Sequence, residues 1–292
     1  MNKKIRRLDE AAVRALLPPR PIDGHKGTFG HLLSVCGCRG MAGAARFAAE
    51  AAYRCGTGLV TAAMPETLYP IVTAGVPEAV CRLLPEEETG GVAATAVDTL
   101  RGSLEKATAV LCGCGLGQGD GAAAVLLWLM KTADCPLVID ADGLNLLSVH
   151  KDRVESKPAL CLTPHPAEAA RLLSSTVEEI EKNRPAAAEA LAKLYGAVVV
   201  LKGHETVIAA PTKPTLQNST GDDTLAKGGS GDVLAGMIAG LAAQGMSLYD
   251  AAACGVYLHG LAGERAGRRL SRRGALARDV LTELARLLSE FE

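Results

Sequence analysis

The chain has 292 residues, enough for one large core, and its formal net charge of -1 with 3% aromatic residues argues against a nucleic-acid surface of basic patches and stacking rings. The basic opening Met-Asn-Lys-Lys-Ile-Arg-Arg leads into no long apolar run, so neither an export signal nor a membrane span is expected, and the expected compartment is the cytoplasm. Nine cysteines in such a chain, several inside apolar runs such as Cys135-Pro-Leu-Val-Ile and Ala-Leu-Cys161-Leu, are expected as free thiols.

In chain order, short runs rich in valine, leucine and isoleucine predict buried parallel strands at Leu32 to Cys36, Gly58 to Ala63, Ala109 to Cys112, Pro136 to Asp140 and Ala197 to Leu201. Helical spacing between them predicts helices over Ala42 to Arg54, Ala122 to Lys131, Ala167 to Leu173 and Pro185 to Tyr195. This alternation defines an α/β protein, a three-layer α/β/α sandwich around a mostly parallel sheet, as a single domain over residues 1–292. Glu205 to Pro211 and Thr215 to Asn218 flank a Thr-Lys-Pro turn and predict a late hairpin, which makes the sheet mixed. The alanine-rich stretch Ala44 to Ala52 suits either core or a subunit contact, core being the ordinary use. Pro85 to Gly91 is an acidic, aperiodic stretch expected as a solvated connection, and the basic run Arg268 to Arg273 as a solvated loop, with phosphate contact the alternative. Two Cys-Gly-Cys pairs, Cys36/Cys38 and Cys112/Cys114, end predicted strands. Their spacing is not the two-residue gap of zinc sites, so small apolar filler is the expectation and four thiolates on zinc the alternative.

The densest signal is Asn218-Ser-Thr-Gly-Asp-Asp-Thr-Leu-Ala-Lys-Gly-Gly-Ser-Gly-Asp232, which runs into an apolar helix. Gly228, Gly229 and Gly231, with Ser230 among them, allow a tight turn whose N–H groups point at an anion, and the helix start adds positive potential. Asp232 would repel a phosphate. It makes sense there as a base that takes a proton from a hydroxyl during phosphoryl transfer, or as an ordinary helix cap; spacing alone leaves both open. Other unusual residues also follow predicted strands, where open α/β sheets hold ligands. They are Gly37-Cys-Arg-Gly-Met-Ala-Gly43, the turn Gly113-Cys-Gly-Leu-Gly117, His165 between two prolines, and Lys202-Gly-His-Glu-Thr206, whose lysine can reach a phosphate.

These segments together resemble the ADP/ATP-dependent NAD(P)H-hydrate dehydratases of the ribokinase-like superfamily. The resemblance is carried in order by Lys26-Gly-Thr-Phe-Gly-His31 with Gly40-Met-Ala-Gly-Ala44, Leu137-Val-Ile-Asp-Ala-Asp-Gly-Leu-Asn145, Thr163-Pro-His-Pro-Ala-Glu168, Val200-Leu-Lys-Gly203 and Gly228-Gly-Ser-Gly-Asp-Val-Leu-Ala-Gly236. It implies that Lys202, Gly203, His204, Glu205, Thr206 and Gly231 contact the nucleotide. It also implies that Ala44, Gly117, His165 and Asp232 contact the hydrated dinucleotide, with Asp232 the base. The implied activity is repair of the S-form of NADHX or NADPHX to NAD(P)H, with ADP, or ATP, phosphorylating the hydrate hydroxyl. Mg2+ would screen the phosphates, and Asp140 and Asp142 are candidates to orient it, although acidic strand ends also cap helices. The resemblance further implies a homotetramer and, since the pattern starts by Lys26, cooperation with a separate epimerase. One departure stands out: the family's Gly-Pro-Gly-Leu-Gly turn is here Gly113-Cys114-Gly-Leu-Gly117, without the proline that would stiffen it. A ribokinase-like kinase of a small vitamin-precursor alcohol is the alternative reading, because it would use the same loop and aspartate.

Overall fold

A computed structural model describes residues 5–151 and 158–291. The chain begins with β1 (Arg6–Arg7), α1 (Glu10–Leu16), β2 (His31–Val35), α2 (Ala42–Arg54), β3 (Leu59–Pro65), α3 (Tyr69–Gly75), β4 (Val80–Leu84) and α4 (Ala96–Leu104). It continues through β5 (Ala109–Cys112), α5 (Asp120–Thr132), β6 (Leu137–Ile139), α6 (Asp142–Val149), β7 (Leu160–Leu162), α7 (Pro166–Leu173), α8 (Val177–Lys182), α9 (Arg184–Tyr195) and β8 (Val198–Leu201). Last come β9 (Val207–Ala209), β10 (Leu216–Gln217), α10 (Ser230–Ala243), α11 (Leu248–Leu270) and α12 (Ala277–Leu288).

The strands form one sheet in the order β1-β10-β9-β8-β7-β6-β5-β2-β3-β4. From β4 through β8 the pairings are parallel, and the predicted hairpin supplies the antiparallel end, with β9 antiparallel to both β8 and β10. Successive side chains go to opposite faces, as the pleat requires. In β5, Ala109 and Leu111 enter a core with α2, α10, α11 and α12, whereas Val110 and Cys112 enter a second core with α4, α5, α6, α7 and α9. Both faces are therefore covered, which accounts for the near-continuous apolar strands and for the three layers expected from sequence.

The alanine-rich helix is core. Ala45, Ala48, Ala49, Ala51 and Ala52 are buried against α10, and the two backbones approach so closely that a Cβ on Gly236 would stand 2.3 Å from the Ala48 carbonyl oxygen. Two surface expectations need correction. The acidic stretch is anchored rather than simply solvated: Glu86 pairs with Arg39 at 3.0 Å, and Glu87 accepts from the Gly121 N–H in the first turn of α5. The basic run is in part helix. Arg268 and Arg269 complete α11, Arg269 pairs with Glu283 at 2.6 Å, and Arg272 pairs with Asp223 at 2.9 Å.

Topology places the site. From β2 the chain steps outward through β3 and β4, then returns to β5 on the other side of β2 and proceeds to β8. The carboxyl ends of β2 and β5 are thus a switch point, where the loops diverge and leave a crevice. The two turns there are joined by the Gly37 N–H donating to the Cys114 carbonyl at 2.9 Å.

Candidate active site

Asp140, just past β6, is the hub of the carboxyl edge and is almost fully buried. Its Oδ1 accepts from Lys202 Nζ at 2.7 Å and from Thr163 Oγ1 at 2.7 Å, so the ends of β6, β7 and β8 meet on one carboxylate oxygen. Burial pulls the Lys202 pKa down, but the charges of Asp140 and Glu168 outweigh it and hold the ammonium above its ordinary value. Glu168 lies 3.9 Å from that ammonium, and burial pushes its carboxyl up to about 7 although Lys202 opposes the shift.

His165 caps α7 through a reciprocal pair of bonds. Its Nδ1 accepts from the Ala167 and Glu168 N–H groups, and its own N–H donates to Glu168 Oε2 at 2.7 Å. Burial, then Lys202 and Arg171, lower its pKa, so the imidazole is neutral and its Nε2 carries the remaining proton 3.3 Å from Glu168 Oε1. The prolines on either side do present this ring at the helix entry, as expected, with the side chain 48% exposed.

The glycine loop enters α10 through Gly229, whose φ of +91° is a left-handed conformation that favours glycine. Gly229 is the helix N-cap and Asp232 lies in the first turn beyond it, so the helix-cap reading of Asp232 does not hold. Burial, then the nearby charge of Asp140, raise the Asp232 pKa to about 6, with Lys202 and a hydrogen bond from the Cys114 thiol opposing. A carboxylate so poised is mostly ionised at neutral pH yet more basic than an ordinary aspartate, which suits a general base. Lys227 fixes the loop from behind by donating to the carbonyls of Arg272, Arg273 and Ala275.

Beside the loop is a cavity of about 500 Å³. Lys202, Gly203, His204, Glu205 and Thr206 form one wall, Ser230 and Gly231 another, the turn at 220–226 with Asp222 and Asp223 a third, and Asn218, Leu234, Val256, His259 and Gly260 complete it. The wall at 202–206 is shaped by the Thr206 hydroxyl donating to the Gly203 carbonyl at 2.9 Å, while the Arg184 guanidinium donates to the carbonyls of Leu201 and His204. Glu205 adopts φ +51°, uncommon for a residue with a side chain, and its Oε2 accepts from Gln217 at 3.0 Å. Asn218 and Thr220 donate to the Val256 and Tyr257 carbonyls of α11, which closes the far side.

The structure therefore gathers Lys202 to Thr206, Ser230 and Gly231 on one cavity. Gly228 and Gly229 form the turn into α10 and do not line it. Ala44, Gly117, His165 and Asp232 lie outside its lining: Ala44 in the first turn of α2, Gly117 donating its N–H to Asp142 Oδ2 at 2.9 Å, His165 on α7 beside Glu168, and Asp232 one residue beyond the lining Gly231. Sequence reasoning missed His259. This residue of α11 is 6% exposed, lines the cavity, and its Nε2 has no hydrogen-bond partner among the described residues. Burial drives its pKa down to about 4, so it is a neutral imidazole. Nothing in the apolar helical run around it marks it out.

Asp142 spends both oxygens on Gly117 and Gln118, so the carboxylate oxygens left to face the loop are those of Asp232 and Asp140 Oδ2, the latter accepting from the Cys114 thiol at 3.6 Å. Hard carboxylate oxygens beside an anion cradle fit Mg2+. The paired Cys-Gly-Cys segments do not converge as four thiols; Cys114 lies instead with Asp140 and Asp232, and all nine cysteines are free.

A parallel sheet with a late antiparallel hairpin, a glycine turn feeding a helix, and an aspartate in that helix's first turn define a ribokinase-like α/β protein. Within that class the model of the NAD(P)H-hydrate dehydratase family matches residues 32–286, and the chain belongs to this family. It is 40% identical over 288 residues to the bifunctional NAD(P)H-hydrate repair enzyme Nnr of Moorella thermoacetica, covering 98% of this chain and 54% of that protein. The chain thus spans about half the length of that relative. It is 41% identical over 250 residues to an ADP-dependent (S)-NAD(P)H-hydrate dehydratase of Neisseria meningitidis, covering 84% and 80% of the two chains. The ADP/ATP-dependent NAD(P)H-hydrate dehydratase of Bacillus subtilis, co-crystallised with ATP and Mg2+, superimposes with a TM-score of 0.86 at 32% identity over the whole of both chains.

Proposed function

We propose that this chain dehydrates the S-form of hydrated NADH and NADPH to NAD(P)H at the expense of ADP, releasing AMP and phosphate. The observation that carries the reading is Asp232, a partly buried carboxylate raised to about 6 and held beside Gly231 in the first turn of a helix that begins at a glycine cradle. The named relatives and their family support the substrate and the donor.

Asp232 takes the proton of the hydroxyl on the saturated nicotinamide ring, and the oxygen bonds to the terminal phosphorus as the bond to AMP breaks. Phosphate is a far better leaving group than hydroxide. The ring nitrogen lone pair then expels it with its C–O electrons, and loss of a proton from the adjacent ring carbon restores the reduced nicotinamide. Lys202 and the N–H groups of the loop at 228–231 stabilise the charge that develops on the transferred phosphoryl oxygens. Asp140 Oδ2 is the oxygen that would hold Mg2+, which when bound screens the phosphate charge, leaving Asp232 to act as base. His165, Gly117 and Ala44 orient the hydrated ring, and Lys202 to Thr206 hold the nucleotide. The same reading makes the enzyme a cytoplasmic homotetramer that acts on hydrate equilibrated by an epimerase from another catalytic domain.

The test is the return of reduced-nicotinamide absorbance when purified protein and Mg2+ meet hydrated NADH with ADP, with ATP or with neither. Recovery with ADP establishes the reaction, and recovery with ATP alone would revise the donor. A folded, nucleotide-binding protein that restores no absorbance with either sinks the proposal and turns attention to small alcohols as phosphoryl acceptors. Light scattering and cell fractionation test the tetramer and the compartment.

A further inference from the structure

Cys114 has no role in the proposed reaction, yet its buried thiol lies against Asp232, the proposed base. Its Sγ, a carboxylate oxygen of Asp140 and one of Asp232 all lie within 4.8 Å of one another. They come from the turn after β5, the end of β6 and the first turn of α10, so tertiary structure alone assembles them. Asp140 turns Oδ1 toward Lys202 and Thr163, and its other oxygen, Oδ2, is 3.6 Å from the Cys114 sulfur. A tetrahedral zinc ion with Zn–S of about 2.3 Å and Zn–O of about 2.1 Å requires a sulfur-to-oxygen edge of about 3.6 Å. The pair, a thiol donating to a carboxylate in this structure, is already at that spacing. Asp232 is only partly buried, whereas Cys114 and Asp140 are buried.

Mg2+ does not take thiolate, whereas one sulfur with two carboxylates suits zinc and similar thiophilic cations. Charge points the same way: a thiolate and two carboxylates outnumber the one ammonium of Lys202, which Glu168 also faces at 3.9 Å, and a divalent cation offsets the excess.

We infer that Cys114, Asp140 and Asp232 form a binding site for zinc or a like thiophilic divalent cation, and that its occupancy switches the enzyme off. On binding, the thiol gives its proton to solvent and sulfur bonds the metal, with both carboxylates as the other protein ligands and water in the fourth position. Asp232, tied to the cation, no longer takes a proton from the hydroxyl. The inhibition, though not the binding, rests on the proposed role of Asp232 as base.

The experiment titrates the reduced, chelator-stripped full chain with Co2+ and follows the near-ultraviolet thiolate-to-cobalt band. The band should saturate at one equivalent, vanish on adding Zn2+, and be absent in Cys114→Ser, whose melting curve and zinc-free turnover report its fold. Losing a ligand should weaken zinc by more than the 10–100-fold that outer-shell changes cost. Zinc should inhibit hydrate turnover at the same occupancy, with reversal by chelator and resistance in Cys114→Ser. Asp232→Asn, which keeps the thiol, should retain the band with at least about tenfold weaker cobalt binding. No band, or a band unchanged in Cys114→Ser, overturns the site. Turnover that continues at full zinc occupancy overturns the switch and leaves the site and the dehydratase standing. Cobalt binding without any hydrate turnover refutes the proposed function and keeps the site.

Discussion

Replacing Asp232 with asparagine should make the protein more stable and nearly inactive at once. Asparagine keeps the shape and removes the charge. The folded-state pKa is raised from 3.8 to about 6, so folding disfavours the ionised form. The sign follows by linkage: above pH 6 the native state carries the full cost of the buried charge, and below about pH 3.8 the group is protonated in both states and costs nothing. At about 1.4 kcal/mol per pKa unit the penalty at pH 7 is on the order of 1–3 kcal/mol, allowing for the partial exposure of the side chain. Asp232→Asn should therefore unfold at higher urea concentration than the parent at pH 7, and the gap should close as pH falls from 6 toward 4. In parallel kcat should fall by about two to four powers of ten, or about 3–5 kcal/mol of transition-state stabilisation, while nucleotide still binds. Urea titrations at pH 7 and pH 4.5 with hydrate turnover on the same preparations check both halves. A variant that is less stable at pH 7 and keeps its turnover would refute the assignment of a strained, catalytic carboxylate.

Other outcomes follow from the same contacts. The acid limb of kcat/KM in the parent should show an apparent pKa near 6, with activity falling about tenfold per pH unit below it, as read from initial rates across pH 4.5–8. His259→Ala removes a buried neutral imidazole from the cavity wall, so KM for the nucleotide should rise about 2–12-fold, the worth of one hydrogen bond, with a smaller change in kcat; equal nucleotide affinity by calorimetry would count against that contact. Lys202→Met strands Asp140 as an unpaired buried charge and should lower unfolding stability by about 3–5 kcal/mol in urea at pH 7, as well as weaken nucleotide binding.

The residues that sequence reasoning found were those whose local chemistry has a local signature. Helix α2 has its predicted bounds, Ala42–Arg54, because an unbroken alanine-rich segment has one periodicity and one place to bury it. The parallel strands were visible because burial on both faces demands apolar residues at consecutive positions, and the glycine loop because its turn needs residues free to take positive φ. Strand β4 escaped: it lies at the sheet edge with Val80, Arg82 and Leu83 exposed, so Val-Cys-Arg-Leu-Leu carries no continuous apolar run. His259 escaped because a histidine within an apolar helix looks the same whether it fills core or faces a cavity. By itself the sequence determined the layered architecture, the cradle and the candidate base. Only the tertiary structure decided that Asp232 stands beyond the helix cap, that Asp140 joins Lys202 to Thr163, and that Cys114 meets two carboxylates. Those distances, and the burial that sets the charge of each group, arise between segments far apart in the chain, where spacing along the sequence carries no information.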